Sequence, residues 1–264
     1  MSSNSARMPL VFFGHGSPML ALDDGAFPRA WRAIARAMAP PQAILMISAH
    51  WCTAGLAVTA QDRPATIHDF QGFPAELYAL DYPAPGCADL ARRVRAMLAP
   101  LPVAMDEAWG LDHGTWCVLR HAYPAADVPV VQLSLDLNQP AGHHLEVGRR
   151  LRELRETGVL IAGSGNVVHN LRAMRKGSNV PAYPWATRFE SKVRAALVAG
   201  DEAALLHLVD DDADARLANP SPEHLLPLLV IAGARHHAEP VTFPVSGIDM
   251  GSISMLSCIW GGAA

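Results

Sequence analysis

Short, continuous apolar runs alternating with amphipathic helical stretches predict an α/β fold: a single domain with a central mostly parallel or mixed sheet flanked by helices. Three observations carry this expectation. Residues 8–13 (MPLVFF) and 43–49 (AILMISA) are short apolar runs bounded by breakers, as strands buried on both faces are. Between them, residues 27–38 (FPRAWRAIARAM) have helical spacing and stop before Pro40 and Pro41, completing a strand–helix–strand unit. The same alternation then recurs toward the C-terminus.

In order, residues 88–98 (ADLARRVRAML) form the next amphipathic helix and residues 128–135 (VPVVQLSL) the next strand. Residues 144–155 read as a helix with its charges on one face, and residues 159–162 (VLIA) as a strand ending in Gly163-Ser164-Gly165-Asn166. Residues 189–199 and 203–209 are helical. Residues 222–234 (PEHLLPLLVIAGA) read as one buried helix, capped by Ser221 and with Pro222 at its first position. Residues 250–260 (MGSISMLSCIW) supply a closing strand. The Pro-rich stretch 63–86 is a long connection, of a length that is often functional. Neither an internal repeat nor a linker interrupts the chain. One domain is expected over residues 1–264, with residues 1–7 flexible.

Composition narrows the function. Half of the 264 residues are hydrophobic, enough for a substantial core. A net charge of -4 without long like-charge runs offers no field for nucleic acid or anionic lipid, so small molecules or copies of the same chain are the expected partners. The four cysteines form no C-x-x-C pair, and they read as reduced core residues. No apolar run reaches the roughly 18 residues of a membrane span, residues 1–8 lack a signal peptide's apolar stretch, and the cytoplasm is the expected compartment.

The twelve histidines prompt a search for a metal site. His15 and His50 each stand at the C-terminal end of an expected strand, where ligand sites of open α/β sheets gather. They either cap their strands or, if the strands are neighbours, meet at one rim. His224 lies in the first turn of the helix after Ser221, and Glu223 beside it most simply complements the positive helix end. His169 follows a strand that ends in small residues, and it is either a buried hydrogen-bonded imidazole or an acid/base group. His113 has Asp112 next to it, which suggests an oriented imidazole. His68 lies in the long connection. His121, His143, His144, His207, His236 and His237 read as ordinary surface or core residues.

Nine segments carry a resemblance, in the same order throughout: GHGSP (14–18), SAHW (48–51), TIHDFQGFP (66–74), YPAPG (82–86), LDHGTW (111–116), GSGNVVHNL (163–171), YPWA (183–186), PSPEHLLPLL (220–229) and MGSISMLS (250–257). Together they resemble the class III extradiol ring-cleavage dioxygenases, in the branch of the 4,5-DOPA dioxygenases. The resemblance implies a single α/β domain with a mononuclear metal at the C-terminal ends of its strands. It implies metal ligands at His15, His50 and His224, with His169 beside the metal as a fourth ligand or as the catalytic base. His113 falls where the family has a second active-site histidine. His68, Trp116 and Tyr183, with Phe70 and Trp185, fall in segments that would line the substrate pocket. Members of the wider superfamily use two histidines and a carboxylate, so Glu223 is a competing ligand to His224.

The implied chemistry is the opening of a small, DOPA-like catechol by dioxygen. Triplet dioxygen reacts slowly with a closed-shell catechol, and Fe(II) held on one face by three ligands leaves positions for both. Zn(II) fits the same ligands without redox activity and is a possible occupant of purified protein. Two other readings use the same residues: a zinc hydrolase with Glu223 or His169 as base, and a non-catalytic metal-binding relative. Homo-oligomers are compatible with all three.

Overall fold

A computed structural model of the chain describes residues 7–177 and 180–262; of the N-terminal stretch expected to be flexible, residues 1–6 lie outside it. Ten strands, β1 (Leu10–Gly14), β2 (Ala43–Thr53), β3 (Leu56–Thr59), β4 (Val103–Asp106), β5 (Val130–Asp136), β6 (Val159–Gly165), β7 (Val241–Val245), β8 (Ile248–Asp249), β9 (Ile253–Ser254) and β10 (Ser257–Trp260), are found among these residues. The α-helices are α1 (Ala26–Arg36), α2 (Ala75–Tyr78), α3 (Ala88–Leu98), α4 (His113–Ala122), α5 (Ala141–Leu151), α6 (Pro184–Ala199), α7 (Glu202–Asp210), α8 (Ala215–Ala218) and α9 (Leu226–Gly233).

Eight strands form one mixed sheet in the order β4-β3-β5-β2-β6-β1-β10-β7. Its centre, β5-β2-β6-β1, is wholly parallel, and antiparallel β10 and β7 extend one side. The sequence periodicity shows why the central strands read as continuous apolar runs. Leu10, Phe12, Leu45, Ile47 and Ile161 pack into one core with α3, α5, α6 and α9. Their alternates Val11, Phe13, Ile44, Met46 and Leu160 pack into a second core with α1 and α4 on the opposite face. Successive side chains of a strand point to opposite faces, so a strand covered on both sides must be apolar at every position.

β6 is inserted between β1 and β2, so the strands carrying His15 and His50 are not neighbours. Two sequence expectations change toward the C-terminus. The stretch 222–234 is not one helix: a 3-10 turn, Pro222–His224, precedes α9, and Pro227, which has no N–H to donate, sits in the first turn of α9. Ser221 makes no capping bond; its hydroxyl instead donates to Glu223 Oε1 at 2.8 Å. The closing stretch 250–260 divides into β9, which pairs with the preceding β8, and β10. No described helix is long and apolar enough to cross a membrane.

Candidate metal centre at the sheet edge

The register of the central strands builds the site. Phe13, Ser164 and Ser48 stand level across β1, β6 and β2. His15 and His50 each lie two residues further on and flank the end of β6; His15 follows the last residue of β1, whereas His50, expected at a strand end, is not at one, because β2 continues to Thr53. Strands two apart are separated by about 10 Å, yet the two ring centroids are 5.1 Å apart and their Nε2 atoms 3.1 Å apart. The rings lean toward each other above β6, which ends there in Gly165. A Cβ on Gly165 would overlap the carbonyl oxygen of His224. The missing side chain thus admits the 3-10 turn, whose His224 carbonyl accepts from Asn166 N at 2.8 Å. His224 is thereby brought within 5.4 Å of His15 and 5.1 Å of His50, centroid to centroid.

Two more imidazoles complete the cluster. His113 opens α4, and its ring lies 3.8 Å from that of His50. Gly114 makes this approach possible, since a Cβ there would lie 2.8 Å from His50 Cδ2. His169 stacks on His224 at 3.4 Å and 8°. Its backbone is fixed by a bridge to Ile253 and a bond to the Ala218 carbonyl. The potential ligand atoms of His15, His50 and His113 lie within 4.8 Å of one another, as do those of His169, Glu223 and His224.

Four of the five rings have a polar group facing their outward nitrogen. His15 Nδ1 lies 2.8 Å from Ser164 Oγ. His113 Nδ1 donates to Asp69 Oδ2 at 2.8 Å, and His50 Nδ1 faces the same oxygen at 3.5 Å. His224 Nδ1 donates to Glu223 Oε1 at 3.3 Å. A neutral imidazole that donates through Nδ1 presents a lone pair at Nε2. His224 Nε2 is buried and has no hydrogen-bond partner among the described residues. The facing Nε2 atoms of His15 and His50, 3.1 Å apart, fit a cation, because ligands bound at roughly 2.1 Å to one ion stand about 3 Å from each other, while the ligand atoms of His224 group with those of His169 and Glu223.

The electrostatics agree with neutral, metal-ready rings. Burial, then neighbouring imidazoles, push His15 and His50 well below the ordinary histidine value. Burial lowers His224 too, against the opposing carboxylate of Glu223. Burial and then His224 bring His169 down to about 3. For Glu223, burial works upward, but the hydrogen bonds it accepts, first from His224, prevail and hold it at about 2.

A cavity of about 550 Å³ opens over the imidazoles. Its walls are largely apolar: Pro18, Phe70, Phe73, Leu171, Met174, Met250 and Ile253. His15, His50, His113, His169, Glu223 and His224 form its polar floor. His68, Trp116 and Tyr183 stand outside this lining. His68 donates to the Leu80 carbonyl, Trp116 Nε1 donates to the Ile67 carbonyl, and Tyr183 stacks with Trp185 beneath Arg175. Asp112, adjacent to His113 in sequence, turns the other way. It caps α4 through Thr115 N and binds Ser48 and Gln132. The carboxylate that meets His113 is Asp69, from the TIHDF segment, whose pairing depends on tertiary structure alone.

The chain is similar to known proteins over most of its length. The profile of the catalytic LigB subunit of aromatic ring-opening dioxygenase matches residues 10–252. The 4,5-DOPA dioxygenase extradiol of Escherichia coli K12 is 50% identical over 258 residues, covering 96% of this chain and 95% of the relative. The beet (Beta vulgaris) protein of the same name is 41% identical over 241 residues, 89% of each chain. The crystal structure of an uncharacterised Escherichia coli K12 protein superposes with a TM-score of 0.85 at 46% identity, covering 97% of this chain and all of that one. The chain belongs to the LigB family of aromatic ring-opening dioxygenases, in the extradiol branch whose members are named for 4,5-DOPA.

Proposed function

We propose that the protein is an Fe(II)-dependent extradiol dioxygenase that opens the ring of a small, DOPA-like catechol with dioxygen. The observation that carries this reading is the convergence of five imidazoles under an apolar cavity, with His224 Nε2 buried and unpartnered. His15, His50 and His224 would hold the metal. They come from the ends of two central strands and from the turn that Gly165 admits, and their centroids form a nearly equilateral triangle. When bound, the metal supplies dioxygen activation and acidifies one catechol hydroxyl. The chain's residues do the rest. His169, neutral and stacked beside His224, takes the second catechol proton at a ring nitrogen. His113, across the site, holds or returns a proton as charge develops. Phe70, Phe73, Met174 and Ile253 receive the aromatic ring and exclude water.

All four cysteines are free, as suits a reducing compartment, and we place the enzyme in the cytoplasm. The test is oxygen uptake by protein reconstituted with Fe(II) under ascorbate, against a panel of catechols. A yellow ring-opened semialdehyde should appear with iron and not with zinc. Ester or amide hydrolysis with zinc, and no oxygen uptake with iron, would replace this reading with a hydrolase using Glu223 as base.

A further inference from the structure

Resting on the ring-opening reading, we propose that Asp69 is a positioning residue that fixes the tautomers of His50 and His113 together, so that both present Nε2 lone pairs to the cavity. Asp69 Oδ1 accepts from the backbone N–H of His113 at 2.8 Å, and Oδ2 accepts from its ring Nδ1 at 2.8 Å. The same Oδ2 stands 3.5 Å from His50 Nδ1. One largely buried carboxylate therefore faces the outward nitrogens of two rings that lie 3.8 Å apart.

The segment carrying Asp69 is held firmly. Ile67 N donates to the Leu111 carbonyl and Leu111 N to the Ala65 carbonyl, both at 2.7 Å, while Trp116 Nε1 donates to the Ile67 carbonyl at 2.8 Å. Gly110 lets these two strands of chain touch, since a Cβ there would overlap the Ala65 carbonyl. The carboxylate thus reaches the site from a fixed backbone.

A neutral imidazole has one donor and one acceptor, and the partner of one nitrogen sets the role of the other. A carboxylate can only accept, so both rings are driven to carry hydrogen on Nδ1. His113 then faces the cavity with an accepting Nε2, its ring held in orientation by Asp69 behind it. His50 keeps its lone pair for a metal.

Asp69→Asn separates this role from simple tethering. An amide oxygen can still accept from the His113 backbone N–H, but an NH2 group now faces the rings and donates. Ring nitrogens would be followed by 15N NMR in metal-free and in diamagnetic zinc-loaded protein, beside kcat and KM of the iron-loaded enzyme. The expected result is that His113 moves its hydrogen to Nε2 and kcat falls at least about 100-fold, with KM changed less than about fivefold, on the scale of a misplaced catalytic tautomer. Asp69→Glu should keep the Nδ1–H tautomer. An unchanged tautomer in Asp69→Asn, or unimpaired turnover, overturns the proposal. If the parent protein opens no catechol, the ring-opening reading fails, while the nitrogen spectra still decide the role of Asp69 because they need no turnover.

Discussion

At the scale of single residues, stacked rings and a missing Cβ separate roles that the sequence leaves merged. His15 lies close to both His50 and His224, whereas His169 touches the cluster chiefly through His224. His15→Ala is therefore expected to lose bound metal. His169→Ala should keep it and lose at least about 100-fold in kcat. Elemental analysis beside turnover checks both, and equal metal loss would make His169 a ligand. Gly114→Ala is a sharper case. Inside a helix, alanine is ordinarily better than glycine by about 1 kcal/mol. Here the new methyl would meet Ser48 Oγ and His50 Cδ2 at 2.5 and 2.8 Å, and overpacking costs about 1–3 kcal/mol. The clash should win: a lower melting temperature and weaker metal binding are expected, measured by calorimetry and metal titration. The individual histidines were visible in the sequence because each adjoins a strand end or a helix start. Asp69 was not, because 44 residues separate it from the ring it binds. The adjacent Asp112 looked like the better partner until α4 claimed it as a cap.

At the scale of elements, the strands that form the parallel centre could be read directly, since burial on both faces leaves an unbroken apolar signature. The elements that escaped have mixed signals. β3 and β4 are four residues each, and β7 is an outer strand that contains Pro244, tolerated where one edge needs no donor. α4 shows little periodicity because nine of its ten residues are buried, including His113 and His121. What starts α4 is Asp112, which is fully buried and joins the helix start to Ser48 of β2 and Gln132 of β5. Asp112→Ala removes a cap, worth about 1 kcal/mol, and strands two buried donors at about 1–3 kcal/mol each. A loss of at least about 3 kcal/mol is expected in urea unfolding, with a large drop in activity because α4 carries His113.

At the scale of the molecule, buried neutral imidazoles make the fold acid-sensitive. His144 in α5 has both ring nitrogens buried without partners among the described residues. Burial, then His143, bring it from 6.5 down to about 4. Between these values the unfolded chain holds a proton that the folded one refuses, so stability falls as pH drops through the window and levels off below it. The contribution is on the order of 3 kcal/mol. His144→Leu should flatten this dependence, which urea melts of metal-free protein between pH 7 and 4 would reveal. One feature of the topology reaches further. The imidazoles that converge on the cavity hang from opposite flanks of β6, a strand laid down more than a hundred residues after His50 and wedged between two earlier ones. Until that late wedge is in place, nothing sets the spacing of the two strands that carry His15 and His50. A metal held by His15 and His50 together would therefore report that β6 has been inserted, and with it the centre of the sheet.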